Sequence, residues 1–572
     1  MNFNSESRAA KKAKIDCTMK TLDTKSRFDK KVSSITLSNN MAFKTISDYK
    51  QLSILNLFDT NVETIENCPI LHSLTISNNQ LLKTLILPSV QECSIIRVSS
   101  LHDIDIENAE IAHLNNLPAL NTINLPNVKL LTMSNMNIHS DSICINTMKS
   151  LRALHLDNVN GVDVQEMVWL EGINCLRISN CDITTLSNIT SYSELTITNC
   201  SKLESIDTIV HVNNLTVDNC SSLASIDNCS NISMMKISRC NAFKHIADVE
   251  IENLTIEYCF KLIHLNSILV ETLDVSFCPR IVSISLNPDT LQFTLNNCIM
   301  FDALEFDCDK AFCYASLRIN LIGDNMIENI KDWFASSLII SDNNTLETVS
   351  NVYNLHELSL VNCHELNSIS DTFIIDSLYI SKCPILDSIT NVYGYTSLDI
   401  IGCEELKAFD VEHTKLLSLT IERCRDLLLH VNGVSLEQLT LIGCGLITIE
   451  NIDKKANIMI QNAAFHPNLS SVPNRVGSIY FEATKKFISH MNNLFKSAQV
   501  ISKRFNLYND RSKYLKFINL KQKNRITDCV ICQETIPVEL SIITRCEHMY
   551  HSECLNTWVR TRRSCPLCNL EL

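Results

Sequence analysis

Eight cysteine and histidine residues lie close together near the carboxyl end of the chain. They are Cys529, Cys532, Cys546, His548, His551, Cys554, Cys565 and Cys568. Their spacing is C-x2-C-x13-C-x-H-x2-H-x2-C-x10-C-x2-C. Thiolate and imidazole are ligands that zinc prefers, and a structural zinc takes four of them in a tetrahedron. Eight such residues are therefore enough for two zinc ions.

The segment that carries these residues, 526–572, is too short to bury a sufficient apolar core. Metal binding can supply the missing free energy of folding. A single zinc ion would leave four of the eight candidate ligands uncoordinated, so two zinc ions are predicted. We expect no open coordination position, which a hydrolytic zinc would need, so both ions are predicted to be structural.

The spacing resembles that of the RING-H2 finger. A PHD finger also uses eight ligands, but H-x2-H-x2-C followed by a tryptophan favours the RING family. In that family the two zinc sites interleave along the chain. The resemblance implies that Cys529, Cys532, His551 and Cys554 form site one, and that Cys546, His548, Cys565 and Cys568 form site two.

Four apolar residues occupy positions that bind the ubiquitin-conjugating enzyme (E2) in RING-type ubiquitin ligases. They are Ile531, Trp558, Pro566 and Leu567, with Trp558 on a helix predicted over 553–560. An exposed apolar patch on so small a module is typical of a binding site. The alternative is that Ile531 and Trp558 only pack between the zinc ions.

Asn569 departs from the pattern of many active RING domains, which carry Arg or Lys directly after the last cysteine. Asparagine can donate hydrogen bonds but has no charge. The resemblance implies a RING-type E3 ubiquitin ligase that acts with an E2 and ubiquitin and uses no catalytic residue of its own. The absence of a positive charge at Asn569 favours an alternative function, that of a non-catalytic zinc-binding adaptor or scaffold protein.

A repeat of 19 to 21 residues dominates the rest of the chain. Leu195-Thr-Ile-Thr-Asn-Cys200 matches Leu215-Thr-Val-Asp-Asn-Cys220, and the cysteine recurs in two in-frame runs, 181–298 and 363–444. Alternating apolar and polar residues predict a short strand with one buried face. Since twenty residues are too few for a strand and a crossover helix, we expect an extended or 3₁₀ return segment.

This pattern resembles the leucine-rich repeat, in its short classes of about twenty residues. The resemblance implies a β-rich solenoid with a parallel sheet over residues 32–484, and a parallel β-helix is the alternative fold. Parallel sheets of this kind commonly bind other proteins, so the solenoid is expected to select a protein substrate. The repeat cysteines are predicted to be buried, because free cysteine is among the most buried residue types.

Charge divides the chain into an acidic body and basic ends. The net charge is −14 overall, and the repeat segment 32–484 carries −27. Residues 1–31 carry +5 and are predicted to be a disordered tail, and residues 485–525 carry +10 and are predicted to be a partly helical cap or linker. The acidic body makes nucleic-acid binding unexpected, since phosphate binding needs Lys and Arg.

The same composition excludes other classes of protein. Among nine glycines only Gly443 and Gly445 form a GxG pair, so nucleotide-binding loops are excluded. No apolar signal segment or long apolar run is present, so we expect no membrane association and a cytoplasmic location. The sequence Lys11-Lys12-Ala13-Lys14 resembles a nuclear localisation signal and adds a nuclear location to that expectation.

Overall fold

The computed structural model divides into two compact units, Met1–Glu482 and Ala483–Leu572. In the first unit it describes residues 14–17, 31–137, 148–161, 173–266, 268–308, 314–410, 416–431, 436–444, 447–449, 457–461 and 478–482. In the second unit it describes residues 529–534, 541–543, 549–551, 554, 555, 557, 558, 562, 564 and 566. No helix in these ranges is long and apolar enough to cross a bilayer.

The first unit is built around one long parallel sheet, here called the first sheet. Each strand pairs with the next first-sheet strand along the chain, at a separation near one repeat, as in Leu195↔Leu215 and Leu55↔Leu74. Its strands are Lys14–Cys17, Ser34–Ser38, Ile54–Phe58, Leu71–Ser77, Thr84–Ile96, Asp103–Asn115, Leu130–Asn137, Ala153–Asn160, Cys175–Ser179, Thr185–Thr198, Ser205–Asp218, Ser230–Ser238, Val249–Glu257, Ile268–Ser276, Gln292–Asn296, Arg318–Ile322, Ser337–Ser341, Leu355–Val361, Ser368–Ser381, Ser397–Ile401, Ser418–Glu422, Gln438–Ile442, Asn457–Gln461 and Ser478–Glu482.

The return segments are also extended and form further parallel pairings, here called the second face. Its separate strands are Thr45–Ser47, Thr64–Glu66, Thr122–Asn124, Ser225–Asp227, His245–Ala247, His264–Leu265, Ser283–Leu286, Ala303–Phe306, Asn329–Lys331, Thr348–Ser350, Ser388–Tyr393, Ala408–Asp410, Leu428–Val431 and Ile447–Ile449. Five long strands pass through both faces; in Ser368–Ser381 the chain turns at Asp371, which has a φ of 49°. The predicted β-rich solenoid with a parallel sheet is confirmed.

The core lies between the two faces and is built from stacks of equivalent residues. Leu215, Met235, Leu254 and Leu273 occupy the same position in successive coils, and each is almost fully buried. Along each strand, buried positions alternate with more exposed ones, which matches the two-residue period of a strand. Burial of apolar surface in these stacks is the main source of stability.

The repeat cysteines close each coil at the end of the first-sheet strand. The Cys240 thiol donates a hydrogen bond to the carbonyl oxygen of Ser238 at 3.4 Å, and Cys220 does the same to Asp218 at 3.6 Å. Both cysteines are fully buried and free. The prediction that the repeat cysteines are buried side chains is confirmed for the cysteines of both in-frame runs, from Cys181 to Cys444.

The residue before the cysteine turns the chain with a positive φ, and asparagine is frequent there. Asn199, Asn219 and Asn297 have φ values of 55°, 53° and 51°. Asparagine tolerates this left-handed region better than most residues because its short side chain can bond locally. The Asn219 amide donates to Asn199 Oδ1 at 2.8 Å, so these side chains also link neighbouring coils.

The amino-terminal segment differs from its prediction at one place. Lys14–Cys17 is a strand that pairs in parallel with residues 34–37, although residues 1–31 were predicted to be disordered. The physical reason is that the first strand of a sheet leaves unpaired backbone groups, which an extended segment can satisfy.

Candidate metal centre

Four ligand residues converge in the second unit. One ligand atom from each of Cys529, Cys532, His551 and Cys554 lies within 4.8 Å of all the others. The Cys532 sulfur is 3.2 Å from His551 Nδ1, and the Cys554 sulfur is 4.0 Å from the same nitrogen. These four are the residues that the resemblance assigns to site one.

Local backbone bonds position the first two cysteines. The Gln533 amide donates to the Cys529 carbonyl oxygen at 2.6 Å, and the Cys529 amide donates to the Glu534 carbonyl oxygen at 2.7 Å. Gln533 has a φ of 64°, which turns the chain directly after Cys532. The two bonds close a tight loop, so both thiols face the same point.

A short hairpin and a helical segment supply the other two ligands. His551 ends the strand Met549–His551, which pairs antiparallel with Ser541–Ile543. Tyr550, next to it, is fully buried and anchors that strand. Cys554 is helical, as are residues 555, 557 and 558, all within the helix predicted over 553–560.

The pKa values of the thiols reflect their crowding. Burial alone would raise the pKa of Cys529, but hydrogen bonds from the amides of Cys532, His551 and Ile531 outweigh it and lower that pKa to about 6. Partial desolvation and the neighbouring sulfurs of Cys532 and Cys529 raise the pKa of Cys554 to about 12. Three sulfurs at this distance repel one another as thiolates, and a divalent cation between them would remove that repulsion.

The donor set fits zinc. Three thiolates and one imidazole nitrogen are a common structural zinc set, with bonds of about 2.3 Å to sulfur and about 2.0 Å to nitrogen. Tetrahedral ligand atoms at those bond lengths lie roughly 3.5 Å apart, between the 3.2 Å and 4.0 Å that separate His551 Nδ1 from the Cys532 and Cys554 sulfurs. The unit is therefore a metal-binding one, and zinc is the ion that suits it. The residues predicted for site two, Cys546, His548, Cys565 and Cys568, lie outside the described residues.

Three of the predicted E2-contact residues are described. Ile531, Trp558 and Pro566 are each half-buried, so each keeps a part of its surface in contact with solvent. The Trp558 indole N–H donates to the Ser564 carbonyl oxygen at 2.8 Å, which fixes the ring. Leu567 and Asn569 lie outside the described residues.

Two further residues belong to this surface and were missed in the sequence. Val530 is exposed beside Ile531 in the same two-residue spacer. The Arg562 guanidinium lies 5.8 Å from the centre of the Trp558 ring, within cation–π range. The apolar spacer could have indicated Val530, whereas nothing in the sequence places Arg562 over the ring.

A comparison with known protein families decides the identity of this unit. Residues 527–569 match the model of the family described as "Ring finger domain". These residues form a RING-H2 finger.

Several curated proteins resemble the chain over this finger. The transmembrane E3 ubiquitin-protein ligase FLY2 of Arabidopsis thaliana is 43% identical over 53 residues, which are 9% of this chain and 10% of that protein. E3 ubiquitin-protein ligase BIG BROTHER of Arabidopsis thaliana is 36% identical over 63 residues, 11% and 25% of the two chains. RING finger protein 145 of Homo sapiens is 30% identical over 90 residues, 15% and 13% of the two chains. The chain thus spans a quarter or less of these relatives.

The relatives overturn the predicted location. FLY2 and FLY1 of Arabidopsis thaliana are both named transmembrane ligases, and they match this chain at 43% and 40% identity. A RING-H2 finger therefore occurs on membrane-anchored ligases as well, and the cytoplasmic or nuclear location predicted from the absence of an apolar signal segment is wrong. The physical reason is that a finger of this kind folds around its own metal ligands, so its presence does not indicate where the rest of a protein is located.

Two solved structures resemble the chain over most of its length. YopM from Yersinia enterocolitica matches with a TM-score of 0.23 and 14% identity, over 81% of this chain and 91% of that one. The TLR13–ssRNA13 complex matches with a TM-score of 0.16 and 13% identity, over 71% and 86%.

Proposed function

We propose that this protein is a RING-type E3 ubiquitin ligase whose solenoid selects a protein substrate. The observation that carries the proposal is the convergence of Cys529, Cys532, His551 and Cys554 inside the matched RING segment. Relatives that share this finger are named E3 ubiquitin ligases. The proposal includes two structural zinc ions, with the second held by Cys546, His548, Cys565 and Cys568.

The zinc ions would cross-link a segment too small to hold its own fold. In the proposed mechanism Ile531, Trp558, Pro566 and Leu567 contact the E2. The bond from Trp558 to Ser564 keeps the indole in one orientation, so the contact surface is formed before the E2 arrives. Val530 extends the same surface.

The reaction needs no nucleophile from this chain. A substrate lysine amine attacks the carbonyl carbon of the E2–ubiquitin thioester, an isopeptide bond forms, and the E2 cysteine leaves as a thiol. The finger contributes by holding the thioester in a reactive orientation, and the solenoid by holding the substrate nearby. Asn569 would contact the E2 and ubiquitin through hydrogen bonds alone, without the charge of an arginine.

The second candidate function is a zinc-binding adaptor that holds an E2 or another protein without activating transfer. The residue that favours it is Asn569, because many active RING domains have a cation there.

An autoubiquitination assay of the full chain with a panel of E2 enzymes tests the proposal. We expect ubiquitin chains with at least one E2, loss of these chains in Cys529→Ser, and a strong reduction in Ile531→Ala. Ile86→Ala, which truncates an exposed isoleucine of the solenoid, is the matched control and should leave the activity unchanged. A zinc-loaded protein that forms no chains with any E2 would support the adaptor instead.

A further inference from the structure

Two successive coils of the solenoid have aromatic residues at the position where asparagine is the most frequent residue. Tyr258 and Phe277 precede Cys259 and Cys278, with φ values of 56° and 54°. They are the only Tyr or Phe among the positive-φ residues that the structure describes. A bulky side chain is unfavourable in this left-handed region, where asparagine is tolerated. Local folding preference therefore does not explain these two residues.

Burial does not explain them either. The two rings stack on each other, with centroids 4.8 Å apart and planes 2° from parallel. Tyr258 is still 41% exposed and Phe277 36% exposed. The stacked pair is thus strained in its backbone and open to solvent, a combination that is typical of functional sites.

The same turns of nearby coils expose more apolar side chains. Phe260, Ile299 and Met300 lie one or two residues after the cysteine in the same turn of nearby coils, and each is between 43% and 55% exposed. The turns have the same shape, because in each of these coils the amide of the residue three positions after the cysteine donates to the carbonyl oxygen of that cysteine. We call Tyr258, Phe277 and these three residues the apolar edge.

The apolar edge carries two unpaired cations. Lys261 and Arg280 lie two residues after Cys259 and Cys278, and both are exposed. Neither has an ion-pair partner among the described residues, whereas the neighbouring Lys236 pairs with Glu257 at 2.9 Å. Both positive charges lie in a repeat segment with a net charge of −27.

We propose that the apolar edge binds a segment of a partner protein in which aliphatic or aromatic side chains are flanked by carboxylates. The exposed rings and Met300 would contact the apolar side chains, and Lys261 and Arg280 would pair with the acids. Aromatic residues and methionine are enriched at such interfaces. An anionic lipid surface fits less well, because it would face the acidic residues around the edge as well as Lys261 and Arg280, whereas a short segment can present its carboxylates to the two cations alone.

The proposal concerns binding alone and stands without the ligase activity. Replacing the edge should leave autoubiquitination with the best E2 unchanged, so failure of one proposal is distinguishable from failure of the other.

A displayed library of random short peptides, selected on the full chain, is the probe. The decisive variant is the double substitution Tyr258→Asn and Phe277→Asn, which installs the residue that other coils use. It should fold at least as well as the wild type, which thermal unfolding will check. Phe373→Ser, which removes an exposed aromatic residue elsewhere in the solenoid, is the matched control.

We expect the selection to enrich peptides with both apolar and acidic residues. Such peptides should bind the Tyr258→Asn, Phe277→Asn variant at least about tenfold more weakly than the wild type, the size of effect expected when an interface loses its main binding residues. The double variant Lys261→Glu with Arg280→Glu should show a loss of the same size. Three results would overturn the proposal: no enriched peptide, equal binding to the folded double variant, or binding of the wild type to phosphatidylserine vesicles but to no peptide.

Discussion

At the scale of single residues, asparagine and cysteine close the coils by different sets of hydrogen bonds. Asn79 Oδ1 accepts from the amides of Leu81 and Leu82, both at 2.9 Å, and its Nδ2 donates to the Val62 carbonyl oxygen at 3.0 Å. A cysteine at this position donates from its thiol to the carbonyl two residues earlier, as Cys240 does. Asn79 therefore bonds to two backbone amides and a carbonyl, whereas Cys240 donates to carbonyl oxygens alone, those of Ser238 and, at 4.0 Å, Val217.

Replacing Asn79 by alanine tests this role. The side chain is fully buried, and Asn79→Ala removes its hydrogen bonds to two amides and a carbonyl. We expect a loss of about 3 kcal/mol in the free energy of unfolding. Urea unfolding measures it, with Asn56→Ala on the outer surface of the first sheet as the control. A loss no larger than that of the control would contradict the role.

Asp218 makes the stability of the solenoid depend on pH. Burial alone would raise the pKa of its carboxyl, but bonds from Arg239 and Ser238 outweigh it and hold that pKa below its usual value. A depressed pKa means that the stabilisation is complete above the unfolded pKa of about 3.9 and is lost as the pH falls through the folded value.

We therefore expect Asp218→Asn to lower stability at neutral pH and to matter less in acid. The loss at pH near 7 should be about 1 kcal/mol, because the Arg239 partner is exposed to solvent. Urea midpoints of both proteins, measured from neutral pH down to about pH 3, give the difference. A difference that stays constant over this range would rule the explanation out.

At the scale of elements, two glycines that both have a positive φ differ in what surrounds them. A Cβ at Gly394, where φ is +100°, would lie 2.6 Å from Phe373 Cε2 and 2.8 Å from the Ile374 carbonyl oxygen. A Cβ at Gly402, where φ is +68°, would meet nothing closer than 3.9 Å. The first glycine is required for close contact between coils, and the second only for its turn.

The pair Gly394→Ala and Gly402→Ala separates these two effects. Gly402→Ala should cost about 1 kcal/mol, the usual cost of a left-handed alanine. Gly394→Ala should cost about 3 kcal/mol, because the backbone oxygen cannot move aside as a side chain can. Thermal or urea unfolding gives both values, and equal costs would contradict the contact.

The sequence was sufficient to predict the elements that repeat strictly. The regular spacing of the cysteines from Cys181 to Cys444 predicted the length of a coil, and the alternation of apolar and polar residues in each repeat predicted the buried face of the first sheet. The second face was predicted only as extended or 3₁₀, because strands such as Ser225–Asp227 are too short to show a period. The pairing of Lys14–Cys17 depends on a free sheet edge, which no local pattern reveals.

The metal site was predictable for a different reason. Its ligand types and spacing indicate zinc, but the assignment of His551 to Cys529 and Cys532 came from the family resemblance, since it joins residues 19 or more positions apart. The positions of Arg562 over Trp558 and of Tyr258 against Phe277 depend on three-dimensional packing, and sequence patterns do not contain that information.

At the scale of the whole molecule, the two units draw stability from different sources. The solenoid buries stacked Leu, Ile and Val side chains, and its cysteines bond to backbone carbonyls. In the described residues, the metal-ligand cluster lies in the second unit. Removal of zinc should therefore unfold the finger and spare the sheet.

Chelation of the full chain tests this independence. We expect two zinc ions to be released per chain, with the β-sheet signal in circular dichroism almost unchanged and ligase activity abolished. Cys529→Ser should behave like the chelated wild type. Collapse of the sheet signal on zinc removal would show that the solenoid also depends on metal.

We propose that the RING-H2 finger activates an E2–ubiquitin thioester, and discharge of that thioester to free lysine in a single turnover measures this activation. We expect the zinc-loaded full chain to accelerate discharge, Ile531→Ala and Cys529→Ser not to do so, and Asn569→Arg to discharge the thioester faster than the wild type. An E2 that binds the wild-type finger while its thioester discharges no faster than without it would contradict the claim and identify the protein as an adaptor.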